Sequence, residues 1–177
     1  MPGIDPLQPP YAPELEAALR KWMPPGAPAE PLALFRTLAR HSRLFERMRP
    51  LAAGLLGKGT LPARDRETVI LRACARCGAE YEWGVHVSAF ARPLGFSDAE
   101  IAATRRGGDE LLLRATDELH DRGTLSDAVL ADLHARYSDE QILEVLALAG
   151  FYHLISFIAN GARVPLEPWA ERFPGAR

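Results

Sequence analysis

The sequence predicts an all-α fold, and three observations carry that expectation. Apolar residues recur at helical spacing in one segment after another, Gly and Pro punctuate those segments at plausible ends, and two capping boxes mark helix starts. No stretch alternates with period two, and no internal repeat is present. At 177 residues, with 47% hydrophobic and 25% charged residues, the chain has the size and composition of one soluble globular domain.

The elements follow in order. Residues 1–13 hold five prolines and no periodic pattern, which predicts an extended arm. A short helix spans Glu14–Met23, and Pro24-Pro25-Gly26-Ala27-Pro28 breaks the chain after it. Pro31–His41 and Leu44–Leu56 have helical spacing, and Gly57-Lys58-Gly59 ends the second. Leu61-Pro62 opens a helix from Ala63 to Cys77, with Gly78 as its stop. Ala79–Arg92 is the next, closed by Pro93 and Gly95. Ser97-Asp98-Ala99-Glu100 is a capping box for a helix ending at Gly107-Gly108. Further helices run over Asp109–Arg122 and Ser126–Arg136, and the capping box Ser138-Asp139-Glu140-Gln141 opens a long one to Asn160. The tail from Arg163 onward contains three prolines and is expected to be irregular.

The last helix is apolar nearly all round, which predicts burial on every side, as a central core helix or one shared with a second subunit. Its greasy run, Ile142–Ile158, is interrupted by Glu144 and His153 and reads as too short and polar for a membrane span. A net charge of −2 gives no case for nucleic acid or anionic membrane. Two cysteines are too few for a disulfide scaffold, so a cytoplasmic setting is expected, and residues 1–13 show no signal-peptide pattern.

The chemistry-bearing residues cluster between Arg66 and His86. With Glu67 at zero on the helical wheel, Ile70, Leu71, Cys74 and Cys77 fall within about 80° of it, while Arg72 and Arg76 lie on the far side. A carboxylate in an apolar arc must find a partner or keep its proton, which makes Glu67 a candidate acid or base. The alternative is a structural salt bridge, to Arg64 or another arginine. Glu82 and His86 are an i, i+4 pair with apolar neighbours, an arrangement that orients an imidazole for proton transfer. A surface ion pair is the plainer account. One carboxylate and one histidine fall short of three metal ligands, HExxH is absent, and no metal is expected.

Cys74 and Cys77 form a Cys-x-x-Cys near a helix C-terminus, where the dipole raises thiol pKa, so they read as core cysteines rather than a redox pair. His153, Ser156 and Asn160 share a face of the last helix, with Tyr152 one turn before Ser156. They are candidate pocket residues or hydrogen-bonded core or interface residues. His41, His120 and His134 sit beside charges and read as surface.

These residues resemble the carboxymuconolactone decarboxylase superfamily, which includes the alkylhydroperoxidase-D-like proteins. The matching pieces are Leu61-Pro62, Arg66-Glu67, Tyr81-Glu82-Trp83 with His86, Gly95, Glu100-Ile101, and the pattern from Ser138 to Asn160. The resemblance covers residues 30–168, leaving 1–29 as a Pro-rich arm with a short helix and 169–177 as an irregular tail. In the peroxidase branch, redox cysteines stand twelve and fifteen positions after the Glu and a His at nineteen. Counted from Glu67, nineteen is His86, but twelve and fifteen are Ala79 and Glu82. Glu80, Glu82 and His86 instead resemble the decarboxylase-type pattern.

The resemblance implies an alkylhydroperoxidase-D-like helical fold assembled as a homo-oligomer, a trimer or hexamer. It implies a lyase without cofactors that decarboxylates a small carboxylated lactone or oxo-acid. His86 is then the proton donor or acceptor, Glu82 orients it, and Glu67 hydrogen-bonds the developing enolate. Tyr81, Trp83 and Asn160 are expected to line the substrate pocket. The alternatives are a thiol peroxidase using Cys74 and Cys77, and a non-catalytic ligand-binding module.

Overall fold

The computed structural model describes residues 3–23 and 30–174, and every regular element in them is helical. The helices are α1 (Pro13–Arg20), α2 (Ala33–Leu38), α3 (Ser42–Gly57), α4 (Ala63–Arg76), α5 (Glu80–His86), α6 (Asp98–Arg106), α7 (Leu111–Arg122), α8 (Asp127–His134) and α9 (Asp139–Ala162). Both capping boxes form: Ser97 and Ser138 each accept from the backbone three residues on, and Glu100 and Gln141 reach back. The expected break at 24–28 lies outside the described residues.

The central helix is α4. It packs against α5, α6, α7 and α9, and every residue from Glu67 to Ala75 is buried. Arg72, expected on the outer side, is therefore inside. It makes a two-pronged pair with Asp117 of α7, at 2.7 and 2.9 Å, and donates to the carbonyls of Thr104 and Arg105. The guanidinium fits because Gly107 is a glycine: a Cβ there would stand 2.8 Å from Arg72 Nη2, and its φ is +86°.

α9 is buried along one side only. Ile142, Val145, Leu148, Tyr152 and Ile155 face the core, whereas Leu143 and Phe157 are 64% and 65% exposed. Over its 24 residues it has a membrane span's length and hydropathy by composition alone, longer than the run read from sequence, with half of its most apolar stretch buried in the fold. Glu144 fastens this helix to the entrance of α4, accepting from Thr60 N at 2.6 Å and Leu61 N at 2.9 Å. Those two donors precede a helix whose start has no side-chain cap of its own.

Two departures from the predicted helices matter for the site. The segment expected as one helix over 79–92 changes at His86 into a π-helical turn, Val87–Ala91. A π-turn rotates the following side chains relative to a continuous α-helix, which no apolar spacing announces. The tail is irregular as expected, yet it is tied down: Glu167 accepts from Ala33 N, Phe173 N donates to Glu80, and Glu171 N donates to Ser88. Gly84 permits this, since a Cβ there would lie 2.1 Å from the Glu171 carbonyl oxygen.

Candidate active site

Glu67 has no exposed surface at all. Its Oε2 lies 2.7 Å from His86 Nδ1, and its Oε1 accepts from Arg66 Nε at 3.1 Å. The structural partner left open by the sequence is thus Arg66, anchored in turn on the Leu56 carbonyl. Arg64 points away, over the Phe96 ring and to Glu100. On the other side of the imidazole, Nε2 is 3.0 Å from the Tyr152 hydroxyl and 3.7 Å from Glu82 Oε2. Phe90, delivered by the π-turn, stacks on the ring with centroids 4.8 Å apart.

This geometry assigns the protons. Glu67 Oε2 accepts a hydrogen bond from His86 Nδ1–H, so in the neutral ring Nε2 is a bare acceptor for the Tyr152 O–H. Burial pushes the His86 pKa down, but the charge and hydrogen bond of Glu67 and the charge of Glu82 outweigh it and hold the imidazole above its ordinary value. Glu82 is raised as well: burial favours its neutral acid, and the charge on His86 only partly opposes this. Burial and the charges of Glu82 and Glu67 raise the Tyr152 phenol far enough to keep it a donor.

Glu82, His86 and Tyr152 open on a cavity of about 290 Å³, walled mainly by apolar side chains such as Leu34, Phe35, Leu56 and Phe151. Glu67 does not reach this space; it stands behind His86. Arg49 of α3 does reach it, and its buried Nε has no hydrogen-bond partner among the described residues.

The three residues expected to line the pocket stand elsewhere. Tyr81 donates to Glu167 at 2.6 Å and accepts from Leu34 N, Trp83 donates to Thr104 Oγ1 at 3.0 Å, and Asn160 donates to the Cys77 carbonyl at 2.9 Å. For Tyr81 and Trp83 the reason is helical rotation, since residues flanking Glu82 point about 100° to either side of it; Asn160 lies two turns beyond Tyr152 on α9. Tyr152, Arg49 and Phe90 take their places. Tyr152 was visible as a polar mark on the last helix; nothing in the sequence distinguished Arg49 from other arginines.

The cysteines are free thiols and neither lines the cavity. Burial raises the pKa of both, strongly for the fully enclosed Cys74, and the neighbouring Ser156 hydroxyl only partly offsets it. His120, read as surface, is half-buried and faces His153 at 2.8 Å.

Residues 42–112, a stretch that contains Glu67, Glu82 and His86, match the carboxymuconolactone decarboxylase family model. No curated protein matches the chain in sequence. Solved structures share its fold at low identity. A variant of the debrominase Bmp8, in complex with 2,3,4-tribromopyrrole, is 17% identical with a TM-score of 0.72, over 94% of this chain and 92% of the other. An uncharacterized peroxidase-related protein from Silicibacter sp. TM1040 is 13% identical with a TM-score of 0.73, over 93% of both chains. ATU0492 from Agrobacterium tumefaciens, a protein of unknown function described as a candidate AhpD antioxidant defence protein, is 21% identical with a TM-score of 0.66, over 73% of this chain and 94% of the other. The fold is accordingly AhpD-like.

Proposed function

We propose that the chain is a cofactor-independent carboxy-lyase acting on a small carboxylated lactone or oxo-acid. The observation that carries this reading is one apolar cavity onto which Glu82, His86, Tyr152 and Arg49 open together, the Arg49 Nε having no hydrogen-bond partner among the described residues. Arg49 supplies a cation for an anionic substrate group where water is scarce. On loss of CO₂, the electrons of the broken C–C bond pass to the adjacent carbonyl oxygen, giving an enolate. Two demands follow: a hydrogen bond to the developing oxyanion and a proton to carbon. The Tyr152 hydroxyl meets the first, and His86 meets the second through Nε2.

The two carboxylates exchange the roles expected from sequence. Glu67 is the positioning residue, fixing the ring and supporting its charge, while Glu82 faces the substrate. A thiol peroxidase reading draws less support, because both thiols lie off the cavity and burial disfavours their thiolates. The exposed Leu143, Leu154 and Phe157 on α9 favour assembly as a homo-oligomer. Light scattering checks this, and a monomer at micromolar concentration rejects it.

The test of function is CO₂ release from a panel of carboxylated butenolides and β-oxo acids, by wild type and by His86→Asn. Release by the wild type that drops about 10²–10⁴-fold in a folded variant supports the reading. Equal release by both, or none with any member of the panel, overturns it.

A further inference from the structure

A second cluster lies outside the cavity, where three helices meet. Cys77 closes α4, His120 stands in the last turn of α7, and His153 lies midway along α9. One ligand atom from each lies within 4.8 Å of the others, in half-buried surroundings. His120 Nδ1 and His153 Nε2 face each other at 2.8 Å. The other ring nitrogen of His153, Nδ1, is 2.7 Å from the Ala149 carbonyl oxygen. A carbonyl only accepts, so Nδ1 carries the proton and Nε2 presents its lone pair to the cluster. A backbone carbonyl holding the far nitrogen is how metal-binding imidazoles are commonly oriented. Arg76, the nearest cation, is already engaged by Asp117 and Asp121.

We infer that Cys77, His120 and His153 bind one zinc-class divalent cation, joining α4, α7 and α9 at a site separate from the catalytic cavity. Two imidazoles and a thiolate suit zinc, cobalt or copper, and exclude magnesium and calcium, which take oxygen ligands. Three protein ligands leave a fourth position for water. Tetrahedral bonds of about 2.0–2.1 Å to nitrogen and 2.3 Å to sulfur place ligand atoms about 3.3–3.7 Å apart. The imidazole nitrogens, 2.8 Å apart, therefore part by about half an ångström. On binding, the Cys77 S–H gives its proton to solvent and a sulfur–metal bond replaces it. His120 Nδ1, which donates to His153 Nε2 before binding, becomes a ligand by shifting to the other tautomer, with its proton on Nε2.

The test is titration of the chelator-treated full chain with Co²⁺, followed by displacement with Zn²⁺. The expected result is a thiolate-to-cobalt charge-transfer band and intense tetrahedral bands, saturating at one ion per chain. Cys77→Ser abolishes the charge-transfer band, and His153→Gln or His120→Gln weakens binding at least tenfold, with folding followed by circular dichroism. His86→Asn binds as the wild type does. Without any mutation, Zn²⁺ slows alkylation of Cys77 and chelator restores it. A six-coordinate cobalt spectrum, binding indifferent to Cys77→Ser and His153→Gln, or loss of binding in His86→Asn overturns the inference.

Discussion

Helices α4 and α9 each contribute to two polar clusters, and the contrast between them is instructive. Glu67 and Tyr152 serve the first. Two to three turns on, at the end of α4, and one turn along α9, Cys74, Cys77 and Ser156 form the second. The first cluster is a connected chain, Arg66–Glu67–His86–Tyr152, ending at a cavity. The second contains thiols pushed toward their neutral form and a buried Ser156 hydroxyl without a partner of hydrogen-bonding geometry among the described residues. Buried polar groups are costly in both. Only the first answers that cost with a continuous network facing space for a substrate.

The largest expected difference separates carboxylate from thiol. Glu67→Gln keeps the side chain's size but removes the charge behind His86, so kcat is expected to fall by about 10²–10³. The Cys74→Ser, Cys77→Ser double variant is expected to stay within about twofold. The pH–rate profile adds a readout that mere loss of packing does not give. Without the charge and hydrogen bond that raise the imidazole, its ionisation in the profile moves to lower pH. Equal losses in the two variants, or an unmoved profile in Glu67→Gln, would erase the distinction between the clusters.

Arg49 lines the same cavity as the end of the connected chain. Arg49→Gln is expected to raise KM by about 10–100-fold with a smaller effect on kcat, as befits a lost charged hydrogen bond of about 1.5–3 kcal/mol. A neutral ester analogue of the substrate should bind both forms alike. If KM is unchanged, the guanidinium does not meet the substrate.

Much of the first cluster was legible because helical rotation alone puts Glu67 and His86 on apolar faces. The helix boundaries were legible for local reasons: the Ser97 and Ser138 capping boxes both form. What could not be read depends on distant contacts. Tyr152 meets His86 across 66 residues of chain, and Arg49 reaches the cavity only because α3 folds over it. The π-turn that stacks Phe90 on His86 has no periodic signature. The enclosure of α4 on every side rests on distant contacts too. α9 is the more apolar, but α4 is enclosed because Asp117 and the Thr104 and Arg105 carbonyls accept its Arg72. His120 was misread because its charged sequence neighbours say nothing of His153 opposite.

The smallest expected effect uses pH to separate the clusters by stability. Glu82 and His86 have folded pKa values above their ordinary 4.5 and 6.5. A group raised by folding contributes stability that is complete below its unfolded value and lost as pH rises through its folded one. The first cluster therefore loses stability progressively above pH 4.5 and through the range beyond 6.5. Cys74 and Cys77 are raised from 9.0, so their loss begins only above pH 9. His120, held below 6.5, acts with the opposite sign and loses its contribution as pH falls through its lowered value. The lowered carboxylates Glu100 and Glu144 likewise contribute above 4.5 and lose that contribution in acid. Because these slopes overlap, the diagnostic is the difference between variants. Tm measured from about pH 5 to 10 should fall less steeply between about 5 and 8 in Glu82→Gln than in the wild type. The double cysteine variant should differ in slope only above pH 9. Parallel curves below that pH for the wild type and Glu82→Gln would mean that Glu82 is not held as an acid in the fold, and its place facing the substrate would lose its electrostatic basis.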